Sequence, residues 1–221
     1  MNRVKYPRTR NFPWSQSNSS DDCWWKDCRN FDGREVVVTE KLDGECTTVY
    51  PDGWVHARSL DTSHHPSRSW MKRHAAEWAH QIPAQYRVCG ENLYAWHSIF
   101  YTNLPTYFLV FGIYDEENRC LSWSSVEEFC SLLGLFTVPV IYKGMWDETH
   151  VRGLWNGVGA FPTFASPDQT EKCKAEGYVV REEGGFPYEE FALHCAKYVR
   201  EHHVQTDSHW MEKAVVPNLM R

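Results

Sequence analysis

The stretch Glu35-Val36-Val37-Val38-Thr39-Glu40-Lys41-Leu42-Asp43-Gly44-Glu45-Cys46-Thr47-Thr48-Val49-Tyr50 decides the fold. Val36-Val37-Val38-Thr39 is a β-branched run of strand character, Lys41-Leu42-Asp43-Gly44 turns the chain, and Cys46 to Tyr50 reads as a second strand. Pro51-Asp52-Gly53 is a hairpin signal leading into a third strand, Trp54 to Arg58. Further along, residues 86–91, 107–114, 177–181 and 193–199 are apolar enough for buried strands. Residues 69–81 have helical spacing with Trp70, Ala75, Trp78 and Ala79 facing inward, and residues 124–133 form a second helix with Ser124 or Ser125 as its N-cap. Many short strands with a few helices imply an α+β domain of antiparallel sheet with flanking helices.

At 221 residues the chain holds one well-cored domain. Residues 1–34, rich in Ser, Asn, Asp, Arg and Pro with scattered tryptophans, read as an irregular arm docked on a domain of residues 35–221. A net charge of -6 excludes a protein that lives by gripping any nucleic acid, since phosphate neutralisation needs a basic excess. Nucleic acid is then met through a local basic groove. Arg3, Lys5, Arg8 and Arg10 on the arm, and Arg68, Lys72, Arg73 and His74 at a helix start, are candidate phosphate contacts. No run approaches the roughly 18 apolar residues of a membrane span, and no apolar core follows the first positive charges as in a signal peptide. The eight cysteines form no C-x-x-C pair and spread over the whole chain, the usage of reduced thiols in a cytoplasmic protein. Most of the tryptophans read as packing, with base stacking the alternative.

Lys41 ends a buried strand and precedes Asp-Gly, so a rigid turn can fix it in a pocket. An amine attacks phosphorus only when neutral, and a free lysine is neutral to about one part in a thousand near pH 7.4. Lowering its pKa by ~3 units takes about 4 kcal/mol of environment, which predicts a second cation nearby. Gly90-Glu91-Asn92 closes a strand with a carboxylate. Glu176 opens an apolar strand, and Lys197 sits inside another. Together these supply a nucleophile, a carboxylate for a hydroxyl, a carboxylate for a divalent metal and a cation for a phosphate.

The ordered series Lys41-Leu42-Asp43-Gly44, Gly90-Glu91-Asn92-Leu93, Phe108-Leu109-Val110-Phe111-Gly112-Ile113, Glu176-Gly177-Tyr178-Val179-Val180-Arg181 and Ala196-Lys197-Tyr198-Val199-Arg200 resembles the motifs of covalent nucleotidyltransferases. That superfamily includes polynucleotide ligases and mRNA capping enzymes. The aromatic strand at Phe108 to Phe111, the tail His203 to Met211 and the opening Tyr6-Pro7-Arg8-Thr9-Arg10-Asn11-Phe12-Pro13-Trp14-Ser15 are similar to the short ATP-dependent RNA ligases of phages and bacteria. The resemblance implies the nucleotidyltransferase (ATP-grasp-like adenylation) fold, with ATP and Mg²⁺ or Mn²⁺ as cofactors. Its implied partners are RNA 5′-phosphate and 3′-hydroxyl ends, joined through AMP carried on Lys41. By position, Lys41, Glu176 and Lys197 are the implied catalytic residues, and Glu176 the metal ligand. Glu40 lines the adenine pocket, Arg58 contacts ribose or phosphate, Glu91 holds the ribose hydroxyl and Phe111 stacks on adenine. Lys197 holds the α-phosphate and is the implied cation beside Lys41. Too few residues follow Lys197 for an oligonucleotide-binding barrel.

Two other readings stay open at this level. One is a DNA ligase or guanylyltransferase; the other is a catalytically degenerate ligase fold that binds RNA. A histidine-based metallohydrolase finds no spacing to support it.

Overall fold

The computed structural model describes residues 2–17, 22–60, 65–201 and 214–221. In chain order its strands and helices are β1 (Arg10–Asn11), β2 (Glu35–Lys41), β3 (Glu45–Val49), β4 (Val55–Ala57), α1 (Ser67–Trp78), β5 (Arg87–Asn92), β6 (Phe100–Tyr101), β7 (Phe108–Tyr114), β8 (Arg119–Cys120), α2 (Trp123–Leu133), β9 (Phe136–Thr137), β10 (Val140–Met145), α3 (Glu148–Gly153), β11 (Thr163–Phe164), β12 (Gly177–Glu182), β13 (Phe186–Pro187), α4 (Phe191–His194) and β14 (Cys195–Val199). This is the α+β, mainly antiparallel architecture expected from the pattern.

Two sheets carry the fold. The first has the order β1-β14-β12-β2-β10, and the second runs β13-β8-β7-β5-β3-β4 with β9 beside β7. β2 belongs to the first sheet and β3 to the second, so the turn at residues 42–44 carries the chain from one to the other. Side chains alternate across a strand, and the register makes that alternation decisive here. Thr39, Val179 and Lys197 lie in one row across β2, β12 and β14. Lys41, Arg181 and Cys195 share their face by parity, and all six line one cavity. The opposite parity, Val36, Val38, Tyr178, Val180 and Ala196, buries against Phe12, Trp25 and Phe31. The larger core lies on the second sheet, where Met71, Ala75 and Trp78 of α1 and Val126 and Cys130 of α2 pack.

Several local expectations are corrected. The first helix starts at Ser67 and buries Met71 beside Trp70, which packs half-buried against the same core, and a 3₁₀ turn takes over at Ala79–Gln81. Ser122, not Ser124 or Ser125, caps α2: its side chain accepts from the Ser125 amide, which pulls Trp123 into the first turn. Residues 191–194 are a helical turn, so the last strand begins at Cys195. All eight cysteines are free, and no helix among the described residues is long and apolar enough to cross a membrane. Arg68 is no surface phosphate contact, because its guanidinium is buried in a bidentate pair with Glu45. On the arm, Arg3 is committed to Asp52. The tail motif at residues 203–211 and Trp210 lie outside the described residues.

Candidate active site

A cavity of about 500 Å³ opens between the two sheets, walled on one side by Tyr6, Pro7, Arg8 and Thr9 of the N-terminal segment. That volume suits a nucleotide-sized ligand. The lining contains all the residues expected from the sequence except Glu176: Glu40, Lys41, Arg58, Glu91, Phe111 and Lys197. Glu176 stands directly behind Lys41, with Oε1 2.8 Å from Nζ. Arg58 is the outlier in environment, exposed at the rim just past β4.

The turn after Lys41 is fixed by its surroundings. Asp43 Oδ2 accepts from the Ser98 and Ile99 amides at 2.7 and 2.8 Å, and the Asp43 amide donates to the Tyr101 hydroxyl at 2.9 Å. The Gly44 amide donates to Glu91 Oε1 at 3.1 Å. Gly44 has to be glycine, since a Cβ there would meet Asn92 O at 2.6 Å and Leu93 Cδ2 at 2.9 Å.

Phe111 owes its position to a bulge. The β5–β7 register shifts between Cys89 and Gly90, so Cys89 pairs with Gly112 and Gly90 with Val110, leaving Phe111 as the extra residue. A bulge re-aims the side chain it carries. Phe111 is half-buried between fully buried neighbours and faces the Tyr6 ring edge-on at 4.8 Å.

The electrostatics depart from the expected ones. Burial opposes the Lys41 ammonium, but the Glu176, Glu91 and Asp43 carboxylates outweigh it and hold the lysine above its ordinary value. Lys197 is near, as its own response shows: burial and then Lys41 lower it, against Asp22. The expected lowering of Lys41 by a cation is therefore not what this state holds; carboxylates dominate its field. Burial pushes Glu40 up to about 7, with the Ala160 amide working against it. Burial also lifts Glu91 to about 8, restrained by Lys41, and lifts Asp43 to about 6, reinforced by Glu176. These carboxylates repel one another around one ammonium. Among the described residues no group of three or more His, Cys, Asp or Glu is arranged to hold a metal alone. A hard divalent cation bound through one carboxylate and substrate phosphates fits this donor set.

Sequence reasoning passed over several contributors. Asp22 Oδ1 accepts from Lys197 Nζ at 3.2 Å, Tyr6 covers Phe111, and Arg181 lines the cavity while donating to Leu121 O at 2.6 Å. Asp43 and Arg181 sit inside the quoted motifs and were legible there. Asp22 and Tyr6 come from an arm with no periodicity to read.

Two mainly antiparallel sheets joined at a lysine-bearing turn beside the cavity are a fold shared with solved structures of RNA ligases. A Naegleria gruberi RNA ligase variant with ATP and Mn matches with TM-score 0.52 and 15% identity, over 78% of this chain and 52% of that one. An archaeal ATP-dependent RNA ligase matches with TM-score 0.55 and 16% identity, over 89% and 48%. This chain thus spans about half the length of those ligases. No curated protein matches it. The RNA ligase family profile matches residues 34–199. The chain belongs to the RNA ligase family.

Proposed function

We propose that this chain is an ATP-dependent RNA ligase that works through a covalent lysyl-AMP intermediate at Lys41. The observation that carries the reading is the placement of Lys41 Nζ on Glu176 at the wall of a nucleotide-sized cavity, with Lys197 in the neighbouring strand row. Once the ammonium has given up a proton to solvent, Nζ attacks the α-phosphorus of ATP, the N–P bond forms as a second nitrogen proton leaves, and the Pα–O bond to the β-phosphate breaks with pyrophosphate taking the electron pair. The AMP then passes to an RNA 5′-phosphate, and a 3′-hydroxyl displaces it to close the phosphodiester.

The surroundings support distinct roles. Phe111 offers a stacking face for adenine, Glu91 and Arg58 meet the ribose and phosphate side, and Lys197 holds the α-phosphate. Glu40 Oε2 accepts from the Ala160 amide at 2.7 Å, while buried Oε1 makes no hydrogen bond within the protein. A divalent cation held by Glu176 beside the phosphates would offset the charge that keeps Lys41 protonated.

The test is incubation with α-labelled ATP and Mg²⁺, with GTP and a Lys41→Ala variant in parallel, followed by denaturation. Stable label on the wild type from ATP alone and none on the variant is expected, then conversion of 5′-phosphate and 3′-hydroxyl RNA ends to sealed product. Folded, AMP-free protein that takes no label would leave an RNA-binding relative of the ligases in place of an enzyme.

A further inference from the structure

The last residues of the chain return to the catalytic turn. Pro217 bridges Ala95 and Met220 bridges Leu104, so residues 217–221 lie along the loop between β5 and β7. Backbone bonds fasten them there: the Asn218 amide to Tyr94 O, the Leu219 amide to Tyr101 O and the Leu104 amide to Leu219 O, each at 3.0 Å.

Asn218 is the centre of this strap and is 0% exposed. Its Oδ1 accepts from the Tyr101 amide at 2.8 Å, its Nδ2 donates to Leu93 O at 2.7 Å and Ala95 O at 3.4 Å, and its carbonyl accepts from the Tyr107 hydroxyl at 2.8 Å. One carboxamide thus satisfies three buried backbone groups that would otherwise be costly to leave unpaired. The same loop holds the lysine turn. Tyr101 accepts from the Asp43 amide through its hydroxyl, and Ser98 and Ile99 donate to the Asp43 carboxylate.

We propose that Asn218 is a positioning residue for the nucleophile: through Tyr101 and the loop at residues 93–107 it sets the turn that carries Lys41. The inference rests on Lys41 as the AMP acceptor. The chain Asn218–Tyr101–Asp43 places a residue of the last five within two side-chain links of the reacting amine. Phosphate and base contacts come from other elements, so this strap governs the attack geometry and leaves ATP binding nearly alone. Only an amide of this reach supplies the acceptor and both donor directions. Aspartate keeps the bond from the Tyr101 amide but turns a carboxylate on two carbonyl oxygens, and alanine keeps nothing.

The experiment is single-turnover lysyl-AMP formation by Asn218→Ala, Tyr101→Phe and the double variant, with KM for ATP and thermal unfolding measured on each. Asn218→Ala is expected to slow the step about tenfold to a hundredfold at saturating ATP, with KM within about threefold of wild type. Tyr101→Phe keeps the amide that binds Asn218 and loses only the hydroxyl under Asp43, so it should slow the step similarly. The double variant should be little slower than the worse single one, because both cut one path. A wild-type rate in Asn218→Ala, multiplicative losses, or a loss that disappears when the variant is assayed well below its melting temperature would overturn the proposal. If Asn218→Ala cannot be purified, Tyr107→Phe removes one bond from the strap. An intermediate rate loss supports the proposal, and a lower melting point with a wild-type rate rejects it. Absence of label on wild-type protein would instead reject Lys41 as acceptor, a different result from a labelled wild type with a fully active Asn218→Ala.

Discussion

Lys41 Nζ and Glu176 Oε1 meet at 2.8 Å where β2 ends and β12 is about to begin. The register explains the meeting: Lys41 pairs with Gly177, so Glu176 is the next residue beyond the ladder and its carboxylate can turn back over the lysine. The lysine proposed as the nucleophile is thereby stored with its proton. Burial works against the ammonium, and Glu176 and Glu91 overcome burial.

The consequence is testable without substrate. Labelling of Lys41 by an amine reagent, followed by mass spectrometry against pH, should titrate above the ordinary lysine value of about 10.4. Glu176→Gln should bring that midpoint down. A group that binds its proton more tightly folded than unfolded adds stability at every pH below its unfolded value and loses it as pH rises through the folded one. Urea melts of the wild type should therefore weaken in that alkaline range more than those of Glu176→Gln. An unchanged labelling profile in the variant would show that other groups set the lysine's charge.

Glu40 gives a second window of the same sign at lower pH. Burial raises it to about 7, so the folded protein favours the protonated form. Its stabilising effect is complete below the unfolded value of about 4.3 and is lost as pH climbs through 7. Glu40→Gln keeps an acceptor for the Ala160 amide and never ionises. It should melt later than wild type near pH 8, by an amount on the order of 3 kcal/mol at most, and equally near pH 4. If the difference is independent of pH, Glu40 is ionised at neutrality through a contact made in solution.

Much of this was legible in the chain itself. The β-branched run before Lys41, the Asp52-Gly53 turn and the apolar strands at residues 107–114 and 177–181 carry strong local signals, and they fall on β2 to β4, β7 and β12. Lys41, Glu91 and Lys197 were legible from their side-chain chemistry in fixed order, whereas Glu40, Arg58 and Phe111 were legible only through the resemblance to ligase motifs. What stayed hidden depends on distant pairing. β10 is an exposed edge strand without a buried face to mark it, and the Phe111 bulge exists only relative to β5. Asp22 and Asn218 act through partners 175 and 117 positions away, Lys197 and Tyr101. The charge of Lys41 was misjudged for a related reason: Glu91, Glu176 and Lys197 were foreseen in the site, but their distances, which let the carboxylates outweigh the cation, were not legible.

Gly177 is a point of close backbone approach beside the site. A Cβ there would lie 2.0 Å from Tyr198 O and 2.9 Å from the Tyr198 carbonyl carbon, backbone atoms that cannot step aside while β12 and β14 stay paired. Gly177→Ala should force those strands apart next to both Glu176 and Lys197. Destabilisation of roughly 1–3 kcal/mol, the usual cost of overpacking, is expected in urea melts, together with loss of lysyl-AMP formation in protein that remains folded. Full activity would mean that the strand end opens without moving either residue.

Lys197 depends on the arm for its charge. Burial and then Lys41 lower its pKa, and Asp22 is the countercharge, 3.2 Å away and itself held by the Ser17 hydroxyl. Removing that countercharge lowers Lys197 further, so the ammonium proposed to hold the α-phosphate is lost at a lower pH. Asp22→Asn should adenylylate more slowly than wild type, with a gap that widens as pH rises over the range in which both proteins stay folded and Lys197 discharges. Adding Lys197→Arg, whose guanidinium stays charged throughout, should remove the widening even if the absolute rate is poor. A gap of constant size across that range would assign Asp22 to seating the arm alone. A gap that widens in the single variant and stays flat in the double one would tie the N-terminal segment to catalysis through a single ion pair.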